Sequence, residues 1–540
     1  MNRNKSKEYD VIIIGGGVTG AGTARDCAMR GLSVLLVERH DFATGATGRN
    51  HGLLHSGARY AVTDPESASE CIKENMILRR IANHCVEGND GLFITLPDDD
   101  IAFQSQFVDA CKSAGIGTEI IDPDYARCIE PSVNSNLIGA VKVPDGSVDP
   151  FRLTMSNALD ARIHGAVLLT QHEVKGIVKE QDRAIGVELF NHETKENVNY
   201  YGKIIVNAGG IWGHHIAKLA GVNINMFPAK GSLLIFGHRV NKMVLNRCRK
   251  PANADILVPG DTISLIGTTS ERIPYDQIDN MFVSRQDVDV LIREGVKLSP
   301  ALAATRILRA YAGVRPLVAA DNDPSGRSIS RGIVLLDHQE RDGLSGFITI
   351  TGGKLMTYRL MAEEATDLIC KKLAVDKQCE TAEKSLPGAE KSEHPLSIAT
   401  EKVYTGANIS QKSLKDRYGT LAKNISNGGE EDSLVCECEG VSIGEVKYAI
   451  NELHVNNLID LRRRTRVGMG TCQGELCACR AAGLLCELSE KPGRAKDDLA
   501  NFLQERWKGM LPITWGEGIN EVQFTSWIYE GIYGLKPDNN

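Results

Sequence analysis

The sequence lacks the features that mark an integral membrane protein, a secreted protein or a general nucleic-acid-binding protein. No window of about 18 consecutive apolar residues occurs in its 540 residues, so we predict that the chain does not span a bilayer by itself. Residues 1–8 are polar and precede no cleavable apolar stretch, so we expect no secretory signal. The sequence has no surplus of basic residues, and its net charge of −7 disfavours a nucleic-acid partner.

Cysteine, by contrast, is plentiful, with 14 residues. In a chain without a secretory signal this number indicates a reducing compartment, where clustered thiols are more often metal ligands than disulfides. The content of 42% hydrophobic and 24% charged residues is ordinary for a globular protein. The length predicts two or three domains, because one core does not extend through 540 residues.

A strand, a glycine turn and a helix open the chain in the order that binds a dinucleotide. Residues 11–14 form a β-branched run typical of a buried parallel strand, and a helical pattern covers 21–30. In the turn between them, Gly15 permits the tight bend, Gly17 lets the backbone approach a pyrophosphate, and Gly20 lets helix and strand pack closely. The helix N-terminus favours the anion.

The segments that follow the motif favour FAD. A second buried strand over 33–37 leads into Glu38, which can accept hydrogen bonds from the ribose hydroxyls and disfavours a 2′-phosphate. This motif alone predicts FAD or NAD, and a glycine turn that binds nothing is the alternative. Two more strand and glycine-turn segments occur at 204–212 and 347–358. Three such turns around one nucleotide favour FAD over NAD.

With these segments the chain resembles the FAD-dependent glycerol-3-phosphate dehydrogenases over essentially its whole length. The resemblance lies in residues 44–60, 310–316, 329–332 and the turn at 352–354. It implies an α/β fold with α+β insertions, in which a Rossmann-type FAD domain of the D-amino-acid-oxidase type carries an antiparallel substrate domain. It also implies oxidation of sn-glycerol 3-phosphate to dihydroxyacetone phosphate, with electrons passed toward quinone.

The motifs and the resemblance together predict the residues that contact FAD. These are Gly15, Gly17, Gly20, Glu38, Arg39, Thr47, Asn207, Ala208, Gly209, Gly352, Gly353 and Lys354. The turn at 352–354 is expected to place backbone N–H groups against the flavin ring, where negative charge develops on reduction.

A phosphomonoester carries close to two negative charges, so its site should hold several cations, with arginine favoured for bidentate contact. Cations in glycine-rich or strand-end segments are Arg59, Arg315, Arg331 and Lys354. By the resemblance they line the phosphate end of the site, with Tyr60 beside them. A surface ion pair is the alternative for any one of them.

Catalysis requires hydride transfer from C2 of the substrate to flavin N5 while a base takes the hydroxyl proton. We predict His55, Arg315 and Lys354 as catalytic residues. His55 would position the substrate or handle the proton, and a structural histidine beside the flavin is the alternative. The base stays unassigned, because residues 230–232 continue into Leu233 where membrane-bound aerobic relatives have a histidine.

Four cysteines near the other end form a candidate metal site. Cys436 and Cys438 are followed after 33 intervening residues by Cys472 and Cys477. Four thiolates without histidine suit a 2Fe-2S cluster or a structural zinc, and an unligated core is a third reading. The segment resembles the ferredoxin-like module of bacterioferritin-associated proteins, which implies a 2Fe-2S cluster. The nearby Cys479 leaves the fourth ligand open.

We predict interleaved FAD-binding and substrate-capping domains over residues 8–385, in which 150–320 are mostly substrate domain. A linker over 386–432 and the cysteine module over 433–487 follow. The tail over 488–540 is a possible interface. The basic residues 462–466 would dock an acidic partner or form an exposed helix face. The expected partners are other dehydrogenase subunits, including a membrane-anchoring iron–sulfur protein, at the cytoplasmic face of the inner membrane. Whether a second flavin binds is left open.

Two other functions compete with this one. A flavin oxidase of another hydroxy or amino acid would use oxygen as acceptor, and the cysteine module weighs against it. A catalytically silent flavin-binding subunit would have lost its substrate residues, and the four predicted cations weigh against that.

Overall fold

The computed structural model describes residues 8–318, 332–389, 409–426, 428–489 and 493–535. The strands are β1 Glu8–Ile14, β2 Val34–Val37, β3 Leu53–Leu54, β4 Val86–Glu87, β5 Gly91–Thr95, β6 Glu119–Ile121, β7 Gly139–Val143, β8 Gly146–Val148, β9 Val167–Leu169, β10 His172–Glu180, β11 Arg183–Asn191, β12 Asn197–Asn207, β13 Met226–Phe236, β14 Val244–Arg247, β15 Ile256–Pro259, β16 Ser264–Gly267, β17 Glu271–Arg272, β18 Ile307–Val318, β19 Ile333–Asp337, β20 Phe347–Gly352, β21 Leu434–Cys436 and β22 Val441–Ser442.

The helices are α1 Val18–Met29, α2 Pro65–Ile81, α3 Ala102–Ser113, α4 Pro123–Ile129, α5 Pro150–Ile163, α6 Gly213–Leu219, α7 Arg285–Leu298, α8 His338–Asp342, α9 Tyr358–Leu373, α10 Ile409–Tyr418, α11 Ala422–Ile425, α12 Ile443–Glu452, α13 Leu458–Thr465, α14 Ala478–Leu488, α15 Ala495–Met510 and α16 Glu517–Ser526.

The first sheet carries the nucleotide motif. Its eight strands run in the order β10-β11-β12-β1-β2-β9, with β20 on β12 and β19 on β20. β1 pairs in parallel with both β12 and β2, so Val11 lies opposite Ile204 on one side and Val34 on the other. A strand covered on both edges and both faces must be apolar throughout, which is the pattern of its sequence. The carboxyl ends of β1, β12 and β20 therefore meet at one edge of the sheet.

The second sheet has nine strands in the order β17-β13-β16-β15-β14-β5-β7-β6, with β18 on β13. Along the long antiparallel pair β13 and β18, Gly231 lies opposite Gly313. A Cβ at Gly313 would collide with the backbone oxygen of Arg49, and a Cβ at Gly231 would lie 2.6 Å from Arg315 Nη2. The two glycines thus let the 44–60 segment and the Arg315 guanidinium lie against this pair of strands.

The sheets divide the chain differently from the predicted interval of 150–320 for the substrate domain. Strands β9–β12 fall inside that interval but belong to the first sheet, whereas β5–β7 precede it and belong to the second. The chain therefore crosses between the sheets several times. The alternating pattern of a half-buried strand shows which face is apolar but not which sheet the strand joins.

The cysteine module and the elements around it pack on the body of the molecule. Part of the predicted linker is helical, since α10 and α11 lie in it, and the Leu414 and Tyr418 side chains are buried with the module core. The Nε of Arg417 donates to Glu445 at 2.8 Å inside that core. In the predicted tail, the Phe502 side chain of α15 is buried in the same core. The described part of 488–540 is thus attached to this chain itself.

Candidate active site and thiol module

A cavity of about 610 Å³ opens at the carboxyl ends of the parallel strands β1, β12 and β20. This is the edge at which open α/β sheets bind nucleotides. Its lining includes most of the predicted FAD and substrate residues, namely Gly15, Gly17, Glu38, Arg39, Thr47, His55, Tyr60, Ala208, Gly209, Arg315, Gly352, Gly353 and Lys354. Segments as far apart in the sequence as Gly15 and Lys354 therefore form one site.

The first glycine turn has the geometry that the motif predicts. Gly15 has φ of +118°, and a Cβ there would lie 2.5 Å from Ala208 O of the second glycine turn. A Cβ at Gly20 would collide with Gly15 O, so this glycine serves close packing and does not line the cavity. Gly17 is the N-cap of α1 and has no side chain to cap the helix, while Val18 N donates to Thr47 Oγ1 at 3.2 Å. Gly17 and Thr47 both line the cavity at this helix N-terminus, the end that favours an anion.

The Glu38 carboxylate lies beside this turn. It accepts hydrogen bonds from the backbone N–H groups of Gly16 at 2.7 Å and His40 at 2.9 Å. Burial raises the pKa of Glu38, although these two hydrogen bonds act in the opposite direction. Next to it, Arg39 pairs with Asp279 at 2.9 Å, and its guanidinium lies 5.2 Å from the ring centre of Trp212.

Asn207 differs from its prediction as a direct FAD ligand. Its Nδ2 donates to Thr349 Oγ1 at 3.2 Å, and its Oδ1 accepts from Gly209 N at 3.2 Å, so the buried amide links the second and third glycine turns from behind. Thr349 Oγ1 also lies 2.9 Å from Nε2 of His338. The other ring nitrogen of His338, Nδ1, lies 2.5 Å from Asp342 Oδ2. Sequence reasoning missed His338, which precedes the third strand and glycine turn and carries no signal of its own.

Arg315 reaches the cavity from β18. Its Nη2 donates to Thr269 O at 3.0 Å and also to the Thr268 hydroxyl, and its Nη1 donates to Ser270 Oγ at 3.4 Å. These contacts fix the guanidinium in one orientation over Gly231. Thr268 lines the cavity as well and was not predicted. The sequence signal that could have indicated Thr268 is the run of three hydroxyl-bearing residues, 268–270, directly after the glycine that ends β16.

Lys354, Tyr60 and His55 line the same cavity next to one another. The Lys354 Nζ lies 4.8 Å from the ring centre of Tyr60, a cation–π contact. The Tyr60 and His55 ring centres are 5.3 Å apart, and His51 lies 5.9 Å beyond His55. The His55 side chain is buried. This row places one cation, one phenol and one imidazole along a single wall.

Arg59, predicted as a phosphate ligand, lies elsewhere. Its Nη2 pairs with the buried carboxylate of Asp255 at 3.1 Å and donates to Ala252 O at 3.1 Å. Among the described residues that line the cavity, Arg59 does not occur. Arg59 therefore forms an ion pair, but a buried one and not the surface pair that was the alternative prediction. Arg331, the remaining predicted cation, lies outside the described residues.

The four predicted cysteine ligands contact one another in the module. The Cys436 sulfur is in hydrogen-bonding contact with Cys477, and Cys472 is in contact with both Cys438 and Cys477. These thiols, together with the backbone N–H groups of residues 476 and 474, lower the pKa of Cys472 to about 2. Cys477 is buried whereas Cys479 is exposed, which favours Cys477 as the fourth ligand.

Glycines shape the loop that carries the second pair of cysteines. A Cβ at Gly470 would lie 2.5 Å from the Cβ of Cys438, so the loop reaches that cysteine only without a side chain. The described residues contain no group of three or more His, Cys, Asp or Glu side chains arranged for a single metal ion. The geometry thus shows that the four cysteine side chains contact one another, but it does not by itself identify the kind of metal centre.

The basic run at 462–466 connects the module to the FAD domain, which neither of its two predicted roles anticipated. Arg463 and Arg464 both pair with Asp41, and Arg463 does so at 2.9 Å. The Arg464 guanidinium also lies 5.9 Å from the ring centre of Phe42. Asp41 lies in the loop after β2, shortly before the 44–60 segment. Buried ion pairs therefore hold the thiol module against the loop that lines the flavin cavity.

The residues present fit FAD. The N-terminus of α1 begins at the cavity with a glycine that carries no side chain, and Glu38 lines the cavity at the end of β2. Residues 10–359 match the family described as FAD dependent oxidoreductase. Over all 540 residues the chain is 62% identical to a subunit of the anaerobic glycerol-3-phosphate dehydrogenase of Escherichia coli strain K12, with coverage of 100% of this chain and 99% of that protein. The chain belongs to the FAD-dependent oxidoreductase family.

Further comparisons extend this family assignment. The corresponding anaerobic glycerol-3-phosphate dehydrogenase subunit from Haloferax volcanii is 42% identical over 533 residues, which cover 96% of this chain and 89% of that protein. The structure of the glycerol-3-phosphate dehydrogenase from Bacillus halodurans with FAD matches with a TM-score of 0.71 at 22% identity and covers 94% of this chain and 97% of that chain. The family resemblance inferred from the sequence and the predicted fold class are thus confirmed.

The thiol module has its own family match. Residues 434–487 match the BFD-like 2Fe-2S binding domain. FAD and a 2Fe-2S cluster are therefore the cofactors of this flavin-dependent oxidoreductase, as the sequence predicted. None of the helices in the described ranges is long and apolar enough to cross a membrane.

Proposed function

We propose that the chain oxidises sn-glycerol 3-phosphate to dihydroxyacetone phosphate and passes the electrons through its thiol module to partner subunits and on to quinone. The observation that carries the proposal is that Arg315 and Lys354 line the same cavity as the FAD glycine turns. A phosphate dianion needs converging cations, and these two approach from different sheets. The relatives named glycerol-3-phosphate dehydrogenase support the choice of substrate.

The residues of the chain bind and orient the substrate in this proposal. Arg315, fixed by its contacts to Thr268 and Thr269, presents a guanidinium edge of constant orientation to the phosphate. Lys354 adds a second positive charge from the third glycine turn, and its contact with Tyr60 limits its motion. When bound, FAD accepts the hydride from the carbon that carries the hydroxyl group.

His55 is the residue that we propose to receive or hold the hydroxyl proton. It is a buried imidazole that lines the cavity beside Tyr60. An imidazole has an ordinary pKa close to neutrality, which suits proton transfer at physiological pH. The neighbouring His51 ring limits the orientations that His55 can take.

We propose Cys436, Cys438, Cys472 and Cys477 as the cluster ligands. Their mutual contacts and the backbone N–H groups directed at Cys472 support this set. Thiolates next to amide donors keep their charge in a buried site, which a cluster requires. The attachment of the module to Asp41 and Phe42 supports an electron path from the flavin cavity.

We further propose that the chain works as one component of a larger dehydrogenase that is peripheral to the inner membrane. The relatives from Escherichia coli and Haloferax volcanii are both named as dehydrogenase subunits, which supports a multi-subunit assembly. A one-electron carrier at the edge of a flavoenzyme has a role only if another redox protein accepts its electrons.

Anaerobic spectroscopy of the FAD-loaded chain tests the substrate assignment. Glycerol 3-phosphate should bleach the flavin absorbance, whereas glycerol and lactate at the same concentration should leave it nearly unchanged. Bleaching by lactate or by an amino acid with peroxide formation in air would instead support an oxidase. No bleaching by any of these compounds would support a catalytically silent subunit.

A further inference from the structure

A second and larger cavity, of about 1,270 Å³, lies between the flavin site and the thiol module. Its walls come from the 43–52 segment, from Arg309–Ala312 of β18, and from helices α13 and α15. Four residues of the 43–52 segment, Thr44, Arg49, Asn50 and His51, line both cavities. The larger cavity is thus the space directly behind the loop that lines the flavin site.

Four arginines that line this cavity make no ion pair with a carboxylate among the described residues, and one of them, Arg79, uses its donors on Asn75 Oδ1 and the backbone oxygens of Pro144 and Asp145. The other three, Arg49, Arg309 and Arg462, make no ion pair with a carboxylate within 4 Å among the described residues. The Nε atoms of Arg309 and Arg462 are buried and have no hydrogen-bond partner within the described ranges of the chain. Arg309 Nη2 reaches only a backbone oxygen, that of Glu505, at 3.5 Å. Arg309 and Arg462 thus each retain a buried hydrogen-bond donor with no acceptor among the described residues.

The nearby acidic side chains do not balance this charge. Most carboxylates that line the cavity have a cation of their own, namely Glu87 with Arg239, Asp149 with Arg152, Asp261 with Arg466 and Glu383 with Arg80. Asp416 lies on α10 beside Lys412 and Lys415, which also line the cavity. Glu505 is then the carboxylate that remains for the three arginines, so the site keeps an excess of positive charge.

The pKa values of the three arginines agree with an excess of positive charge at this site. Burial lowers the pKa of Arg462 well below its ordinary value, and the neighbouring Arg309 lowers it further. Burial also lowers the pKa of Arg309 and of Arg49, which Glu505 only partly offsets. Buried cations are costly unless a counter-charge is present. The protein supplies less counter-charge here than at its other buried arginines, such as Arg464 with Asp41.

We propose that Arg49, Arg309 and Arg462 form a binding site for an organic phosphate, separate from the substrate phosphate site at Arg315 and Lys354. Guanidinium groups are the preferred ligands of phosphate oxygens, and three of them match a dianion. One part of the cavity wall is apolar and consists of Ile235, Ile263, Leu265, Met281 and Val283. A ligand with an apolar or aromatic body attached to its phosphate fits this combination, whereas inorganic phosphate would leave that wall unused.

Calorimetric titration of the FAD-loaded chain with phenyl phosphate tests the proposal. Phenyl phosphate should bind saturably, orthophosphate more weakly, and phenol should show no binding. Arg309→Gln and Arg462→Gln should each weaken phenyl phosphate binding tenfold or more. The matched control is Arg306→Gln, since Arg306 is an exposed arginine just before β18 that pairs with Glu521 on the surface. This control, and Arg315→Ala in the substrate site, should keep the wild-type affinity.

Thermal unfolding gives a second readout. Without ligand, Arg462→Gln should keep or raise Tm, because it removes repulsion between buried cations, and phenyl phosphate should raise Tm in the wild type but not in this variant. Unchanged affinity in both glutamine variants, or loss of binding in Arg315→Ala alone, would overturn the proposal. Equal binding of phenol or of orthophosphate, or no saturable binding, would also overturn it. The proposal does not depend on which substrate reduces the flavin.

Discussion

Gly17 lies where a side chain would reach the FAD pyrophosphate without disturbing the fold. Its backbone has φ −73° and ψ 173°, which valine adopts readily, and a Cβ there would meet only Thr47 Oγ1 at 3.2 Å. Gly17→Val should therefore fold but purify with little or no bound FAD, measured as the ratio of flavin to protein absorbance. Gly117→Val is the control, because Gly117 has open space around it and an exposed position. Full flavin occupancy in the Gly17→Val variant would contradict the prediction that the FAD pyrophosphate lies against Gly17.

Arg315 is predicted to be the main anchor for the phosphate group. Removing a charged hydrogen-bond donor in a partly buried site costs about 2 to 4 kcal/mol of binding to the charged ligand. Arg315→Ala should then lower kcat/KM for glycerol 3-phosphate by roughly 30- to 1,000-fold. Steady-state assays with an artificial electron acceptor measure this. An effect of only a few fold would show that Arg315 does not bind the phosphate.

Arg59 should behave in the opposite way, because it pairs with the buried Asp255 and does not line the cavity. Burial alone would raise the pKa of Asp255, but Arg59 and then Arg249 hold it below its ordinary value. Arg59→Ala should lower the free energy of unfolding while kcat/KM of the folded enzyme stays within a few fold. Urea unfolding and steady-state kinetics on the same preparation separate the two effects. A large loss of kcat/KM in a variant of normal stability would show that Arg59 does contribute to substrate binding.

The two arginines show the limit of sequence reasoning at the scale of residues. Both occur in glycine-rich segments of the family pattern, so the sequence treated them alike. What distinguishes them is the partner: Asp255 is 196 positions away from Arg59 in the chain. Such long-range pairs are formed by the tertiary fold, and the local pattern does not encode them. The tight bend at Gly15 and the close packing at Gly20, by contrast, belong to one short turn, and the structure shows both.

At the scale of elements, local patterns predicted individual helices and strands but not the sheet to which a strand belongs. The first strand, turn and helix form as predicted, because apolar periodicity and glycine position are encoded within a few residues. Sheet membership depends on pairing between distant segments, so the division of 150–320 between the two sheets was not predictable.

The contact between α13 and the loop after β2 should depend on Asp41. Arg464 and Asp41 are both almost fully buried, with side chains about 2% exposed, so Asp41→Asn leaves a buried cation without its counter-charge. Breaking such a pair costs about 3 kcal/mol or more. Hydrogen exchange should become faster in α13, and the urea midpoint should fall.

The control for Asp41→Asn is Arg162→Gln. Arg162 also joins the FAD domain to the module, through Glu452, but this pair is exposed, with side chains 32% and 52% accessible. Exposed pairs contribute about 1 kcal/mol or less. If both variants had the same small effect, the buried pairs would not hold the module in place.

The same ion pairs predict the response to acid. Burial alone would raise the pKa of Asp41, but Arg464 and Arg463 hold it below its ordinary value. A carboxyl whose folded-state pKa is lowered stabilises the fold above its unfolded pKa of about 4, and the contribution disappears as pH falls through the folded value. The difference in unfolding free energy between wild type and Asp41→Asn should therefore be constant from pH 5 to 7 and shrink below pH 4. A difference that grows at low pH would contradict the assignment.

At the scale of the whole molecule, the flavin in the cavity is expected to accept electrons from the substrate, and the thiol module is expected to pass them on. Cys438→Ser should leave flavin bleaching by glycerol 3-phosphate nearly unchanged, because Cys438 lies in the module and does not line the flavin cavity. Electron delivery to quinone in the assembled complex should be greatly slowed. Cys479→Ser is the control, since that thiol is exposed. Zinc in place of iron and sulfide on metal analysis would make the module structural.

The most direct test of the central claim is electron paramagnetic resonance of the anaerobic holoprotein, frozen after mixing with glycerol 3-phosphate. The account predicts that the signal of a reduced 2Fe-2S cluster appears together with flavin bleaching in the wild type and is absent in Cys438→Ser, whose flavin still bleaches. Complete flavin bleaching in the wild type without any cluster signal would contradict the claim that the module takes electrons from the flavin.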